Sequence, residues 1–213
     1  MKVRGFEVCS NFKDKDIHLP IRKTKNSVGY DIEAAEDTVI PSIWKTVFKN
    51  IGKFLKGSKE YEDFKPTLIP TGLKSYFMED EVLVLANKSS FPIKKGLVMS
   101  NSIGIIESDY YNNESNEGHL MFMYYNISFT DKVIKKGENA GQAYFQKFLI
   151  ADNDNATGTR TGGFGSTDIK NWIILNLLIL IFFWNITRLL QIYFLNINFL
   201  KISFKKLNLI VTF

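Results

Sequence analysis

The stretch Arg160-Thr161-Gly162-Gly163-Phe164-Gly165-Ser166-Thr167 gathers the groups a nucleoside polyphosphate needs. Glycines open backbone conformations closed to other residues and let the main chain approach a ligand closely. Exposed N–H groups, hydroxyls and a guanidinium bind phosphate oxygens. A single phenylalanine among glycines has little core to join, but its ring can stack on a flat base. The segment reads as an arm that closes over a nucleotide. A plain flexible linker carrying one stray ring is the alternative.

Such an arm needs a framework. The chain has 213 residues, enough for one domain and an appendage, and 45% of them are hydrophobic. The net charge of +5 raises the question of nucleic acid. However, everything from Trp172 onward carries only Arg188, Lys201, Lys205 and Lys206 and no carboxylate. The rest therefore holds 23 of the 27 basic residues against all 22 acidic ones. A near-neutral body is not the footprint of a nucleic-acid binder. Cys9 is the single cysteine, which excludes an internal disulfide and suits a cytoplasmic location. One cysteine and two histidines are too few for an ordinary zinc site. The N-terminus shows no apolar secretory segment.

Residues 1–25 read as an opening strand and a basic connector, followed by a strand at Val28-Gly29-Tyr30-Asp31-Ile32. Ile43, Trp44, Val47, Phe48, Ile51, Phe54 and Leu55 recur at helical spacing, with Lys45, Lys49 and Lys53 on another face. They predict an inserted helix at about 42–56, either packed on the protein surface or lying on a membrane. From Leu68 the pattern becomes short apolar or alternating runs: Glu81 to Leu85, Leu97 to Met99, Ile103 to Glu107, His119 to Ser128, Val133-Ile134 and Ala143 to Ile150. Turn residues separate them, among them Asn87-Lys88-Ser89-Ser90, Asn112-Asn113 and Lys136-Gly137. Many short strands punctuated in this way predict an all-β barrel or sandwich.

Five segments then stand in order: Ser27 to Ile32, Lys88-Ser89-Ser90, Asn101 to Tyr110, Gly137 to Gln142, and the glycine-rich arm. The set resembles the five motifs of the trimeric dUTPases (dUTP diphosphatases) over residues 1 to 168. The longer loop running from Tyr110 to His119 is similar to a bacterial and phage branch of that family. The resemblance implies a jelly-roll-like β barrel at 1–158 and a flexible C-terminal arm at 159–168. It also implies a homotrimer whose active sites are shared between subunits, and the Mg²⁺-assisted conversion of dUTP to dUMP and pyrophosphate. Mg²⁺ would be held mainly by substrate phosphates and waters rather than by protein ligands.

It further assigns roles. Glu107 matches the carboxylate that activates water, where the family usually has Asp; the extra methylene matters, because a displacement near ~1 Å can cost on the order of 10²-fold in rate. Asp109, taken to lie on the same strand two residues on, matches a second acidic position. Asp31 matches the carboxylate that organises the polar network behind the site. Ordinary solvated surface positions are the alternative for all three. Tyr110 matches the ring packed under the deoxyribose, which would reject a 2′-hydroxyl; packing in the core is the alternative. Asn101, on what reads as a strand hairpin, matches the uracil-pocket amide, though Asn is also a common turn residue. Lys88, Ser89, Ser90 and Gln142 match phosphate binders, with Lys88 and Asn139 standing where arginines are usual. In the arm, Arg160 would clamp the terminal phosphate and Phe164 would stack on uracil. Gly163 and Gly165 would let the arm bend, and Ser166 and Thr167 would bond phosphate oxygens.

Residues 169–213 extend beyond the family pattern. Trp172 to Trp184 is apolar except for Asn176, shorter than the ~20 residues that span a bilayer. A membrane-associated helix, a helix packed on the trimer and a shifted reading frame all remain open. Two further functions also remain open: a dCTP deaminase of the same fold, and a nucleotide-binding regulator with weak catalysis.

Overall fold

A computed structural model describes residues 2–158, so the arm and the C-terminal extension lie outside the described residues. The elements are β1 (Gly5–Val8), β2 (Tyr30–Glu33), β3 (Thr38–Ile40), α1 (Ile43–Leu55), β4 (Thr67–Pro70), β5 (Leu73–Tyr76), β6 (Glu81–Ala86), α2 (Ser90–Lys95), β7 (Leu97–Met99), β8 (Ile103–Ile106), β9 (Met121–Asn126), β10 (Lys132–Ile134) and β11 (Asn139–Lys147). They form a four-stranded sheet in the order β2-β11-β6-β8, a three-stranded sheet β4-β9-β7, and the pairs β1-β5 and β10-β3. All the pairings are antiparallel.

The core follows from strand alternation, which sends every second side chain inward. In β9, Phe122, Tyr124 and Asn126 are buried while Met121, Met123 and Tyr125 are partly exposed. Phe122 and Tyr124 meet Ile32, Ile69, Leu83, Leu85, Leu97 and Ile134 in one cluster. Buried polar groups inside it are satisfied. The Tyr124 hydroxyl reaches the Ala140 carbonyl at 2.8 Å and Asn87 Oδ1 at 3.0 Å, and burial pushes its pKa up. The Asn126 amide donates to the carbonyls of Ile40 and Thr130.

The inserted helix forms as predicted, one residue shorter at each end. Ser42 caps it by accepting from the Trp44 N–H, and Ser42 in turn bonds Asp131 and the Ser128 carbonyl. Its lysines are engaged by carboxylates: Lys45 with Asp131, and Lys49 and Lys53 with Glu62.

Several expectations need correction. α2 is a helix where the sequence shows only a turn followed by apolar residues. Phe91 is its buried anchor, packed on Tyr124, and Gly96 ends it at φ +63°. β8 stops at Ile106, so Asp109 is not on the same strand as Glu107. The Tyr110 N–H bonds the Glu107 carbonyl at 3.1 Å and turns Ser108–Tyr110 into a short 3-10 segment. The turn carrying Asn101 is not a hairpin, because β7 pairs with β9 and β8 with β6; it carries the chain from one sheet to the other. β2 begins at Tyr30 rather than Val28. β11 runs from Asn139 to Lys147, since its last rung is Lys147 opposite Glu81 where β6 begins.

Candidate active site

The motif residues fall into two groups at opposite ends of the β6–β8 ladder. In the first, Asp31 on β2 sits directly opposite Gln142 on β11, and Gln142 sits opposite Ala86 on β6. Cross-strand partners share a sheet face, so Asp31 and Gln142 are neighbours. Asn87, Lys88, Ser89 and Ser90 follow Ala86 at once, and the Gln142 amide donates to the Asn87 carbonyl at 3.3 Å.

Two glycines make this packing possible. A Cβ on Gly29 would stand 2.6 Å from Gln142 Oε1, and one on Gly141 would stand 2.3 Å from the Phe122 ring. The Asp31 carboxylate pairs with Lys23 at 2.9 Å. Glu138, next to Asn139, feels burial that raises its pKa, but Lys95, the Lys135 N–H and the charge of Lys88 together bring it below the usual carboxylate value. The Asn139 amide is buried and finds no hydrogen-bond partner among the described residues.

The second group is Glu107, Asp109 and Tyr110. Glu107 and Asp109 are exposed, while Tyr110 is only 4% exposed and joins the core cluster. Its hydroxyl donates to the His119 carbonyl at 3.2 Å and accepts from Asn116 Nδ2 at 2.7 Å. Asn101 is exposed in the turn before β8, with Glu107 just after it, so β8 separates the two.

The ladder register decides what one chain can assemble. Ile103 faces Ala86 and Ile106 faces Leu83. Lys88, Ser89 and Ser90 therefore lie beyond one end of the ladder and Glu107 beyond the other. The four rungs, three residue steps from first to last, span roughly 10 Å at the usual strand rise, before the flanking residues are added. Within one chain the structure brings Asp31, Gln142 and the Lys88–Ser90 segment together, and it does not bring Glu107 to them. Two cavities, of about 350 and 360 Å³, lie beside His18 and Lys136 and beside Arg4 and Phe145. Neither is lined by Glu107 or by Ser90. Arg160, Gly163, Phe164, Gly165, Ser166 and Thr167 lie outside the described residues.

Sequence reading missed the groups that hold the second cluster in place. Lys74 on β5 is buried and binds Glu117 at 2.5 Å and Asn112 at 2.7 Å. Ser10 donates to Glu117 through its N–H and its hydroxyl, at 2.8 and 2.5 Å. With Lys74 foremost and Ser10 next, these bonds hold the Glu117 carboxyl down to about 2. Burial lowers the pKa of Lys74, but its bond and charge with Glu117 reverse that and leave it raised. His119 accepts from the Gly72 N–H at 2.9 Å through Nε2, and burial lowers its pKa. The strand around Lys74 carries no motif, so only the folded contacts reveal these anchors.

No family model matches the chain. A deoxyuridine 5′-triphosphate nucleotidohydrolase of Lactococcus lactis is 45% identical over 169 residues, covering 78% of this chain and 99% of the relative. The chain belongs to the dUTPase family. A nucleotidohydrolase of the same name from Buchnera aphidicola is 27% identical over 179 residues, covering 81% of this chain and 97% of the relative. Among solved structures, the dUTPase from Streptococcus mutans is 37% identical with a TM-score of 0.57, covering 70% of this chain and 98% of that one. The dUTPase from phage phi11 of S. aureus has a TM-score of 0.52 at 16% identity, covering 76% of this chain and all of that one, and so supports the fold alone. The all-β fold seen here is the jelly-roll-like fold of the dUTPases, with α1 inserted between β3 and β4.

Proposed function

We propose that this protein hydrolyses dUTP to dUMP and pyrophosphate at sites assembled between copies of the chain, Glu107 coming from one copy and Ser89, Ser90 and Gln142 from another. The observation that carries the activity is the 45% identity to a deoxyuridine 5′-triphosphate nucleotidohydrolase across nearly its whole length. Two structural facts support sharing. One is the separation of Glu107 from Ser90 along the β6–β8 ladder. Another is the edge position of β8 among the described strands, which leaves Ile103 and Ile105 half exposed along it. A homotrimer is the assembly the family implies.

In this reading Glu107 takes a proton from water as its oxygen attacks the α-phosphorus. The bond from that phosphorus to the αβ-bridging oxygen breaks, and pyrophosphate leaves with the electron pair. Lys88, Ser89, Ser90 and Gln142 hold phosphate oxygens, Asp31 supports Gln142 from the next strand, and Asp109 adds negative charge near the water. Asn101 reads uracil and Tyr110 packs under the sugar. The arm at 159–168 closes the site through Arg160, Phe164, Ser166 and Thr167, with Gly163 and Gly165 as its hinges.

Among the described residues no group of three His, Cys, Asp or Glu side chains is gathered to hold a metal. Mg²⁺ would be carried on phosphate oxygens and waters, as it commonly is. When bound, Mg²⁺ neutralises phosphate charge and orients the chain for in-line attack. A single cysteine, buried at Cys9, supports a cytoplasmic setting. No helix among the described residues is long and apolar enough to cross a membrane.

Pyrophosphate release by the purified protein tests this reading. Turnover of dUTP well above that of UTP and dTTP is expected; equal turnover of all three contradicts it. Binding of dUTP without cleavage would favour a regulatory role instead, and ammonia release from dCTP would favour a deaminase.

A further inference from the structure

The loop from Tyr111 to His119 is built around one side chain, and that side chain is Tyr110. Asn113 organises its interior: Asn113 Oδ1 accepts from the N–H groups of Ser115 and Asn116, and Asn113 Nδ2 donates to the Tyr110 carbonyl at 2.9 Å and to Asn116 Oδ1 at 2.8 Å. Asn116 Oδ1 also accepts from the Gly118 N–H, which leaves Asn116 Nδ2 aimed at the Tyr110 hydroxyl. Gly118, at φ +77°, lies so close that a Cβ there would stand 2.5 Å from the Tyr110 carbonyl oxygen.

The loop is then fastened to the barrel at separate points. Lys74 grips both of its shoulders, Asn112 and Glu117, and its ammonium lies over the Tyr111 ring. Ser10 holds Glu117 from the other side, the Tyr111 hydroxyl donates to Glu7, and His119 is fixed by Gly72 and packed on Phe12. The depressed pKa of Glu117 keeps it charged across the whole physiological range. Few surface loops carry so many long-range polar anchors, because ordering a loop costs conformational entropy that its function must warrant.

We infer that Asn116 is a positioning residue for Tyr110, and that the loop clamped by Lys74 and Glu117 sets the discrimination between deoxyribose and ribose by fixing the plane of that ring. This rests on the reading of Tyr110 as the residue under the sugar. Its hydroxyl donates to the His119 carbonyl and accepts from Asn116, both in the loop, and these two bonds fix the tilt of the ring. A ring held still leaves no room for a 2′-hydroxyl and no partner for it. A ring free to shift by ~1 Å makes that room, and shifts of this size change rates on the order of 10²-fold.

The test compares kcat/KM for dUTP with that for UTP in the full-length protein with Mg²⁺. The ratio of the two does not depend on what fraction of the enzyme is folded, so a merely destabilised variant leaves it unchanged. Asn116→Leu and Tyr110→Phe are each expected to lower the ratio about tenfold. The double variant is expected to lower it by less than the product of the two single effects, since both remove the Asn116–Tyr110 bond. Glu117→Gln, which keeps the shape of the side chain but weakens the clamp, provides a second route should Asn116→Leu fail to fold; a smaller loss is expected. Tyr110→Leu separates the two readings. If it lowers the ratio while Asn116→Leu and Glu117→Gln leave it at the wild-type value, the inference is overturned and the role of Tyr110 stands. If Tyr110→Leu itself leaves the ratio unchanged, the role of Tyr110 falls and the inference falls with it.

Discussion

The two ends of the β6–β8 ladder are held by different physics. The end bearing Asp31, Gln142 and the Lys88–Ser90 segment is fixed by main-chain register: three neighbouring strands place these residues side by side, and Gly29 and Gly141 let them close up. The end bearing Glu107, Asp109 and Tyr110 lies past the last rung of that ladder. Side chains replace it there, above all Lys74, Glu117, Asn116 and His119. A site half built on backbone register and half on side-chain clamps should tolerate substitution very differently at its two ends.

The largest expected effect tests chemistry at the clamped end. Glu107→Gln is expected to lower kcat for dUTP by about 10²- to 10⁴-fold while dUTP still binds, measured by pyrophosphate release and by calorimetric titration. At the register end, Gly29→Ala pushes a methyl into the Gln142 amide. An increase in KM for dUTP with a smaller change in kcat is expected in steady-state kinetics, because the phosphate contacts shift while the base does not.

Stability separates the ends further. Lys74→Met leaves the Glu117 carboxylate without its principal partner and should cost about 2 kcal/mol in urea unfolding. That is below the ~3–5 kcal/mol of a fully enclosed pair, because Glu117 keeps some contact with water. Tyr124→Phe, in the core beneath the register end, removes one hydroxyl from Asn87 and Ala140 and should cost about 1–2 kcal/mol.

Acid should loosen the clamped end first. Glu117 has its ordinary value near 4.5 when unfolded and about 2 when folded, so the stability it contributes is complete above pH 4.5 and is lost as pH falls toward 2. His119 has its pKa lowered by burial from 6.5, so its contribution is present above that value and declines as the pH drops below it. The melting temperature is expected to fall with acid in both windows, and Glu117→Gln should flatten the lower one.

These ends also differ in how far the sequence discloses them. Asp31 and Gln142 were named through the motif resemblance alone and lie side by side on β2 and β11, whereas the strand runs and the helix from Ile43 to Leu55 were legible from periodicity. Short-range turn chemistry was less so: the 3-10 turn that carries Asp109 off the strand depends on a bond from Tyr110 to Glu107 that no spacing announces. α2 was hidden because Pro92 and two lysines look like a loop until Phe91 finds Tyr124. Lys74 and Ser10 reach Glu117 across 43 and 107 positions of sequence, and such partners become visible only once the chain has folded.

The most direct test is subunit complementation. Glu107→Gln and Ser90→Ala proteins, each expected to be nearly inactive alone, are unfolded together and refolded as a mixture. If each site takes Glu107 from one copy and Ser90 from another, about a quarter of the sites in a random mixture are fully wild type, and dUTP hydrolysis returns to about that fraction. If the mixture forms mixed assemblies yet stays as inactive as its components, the two residues act within a single chain and the shared-site account is wrong.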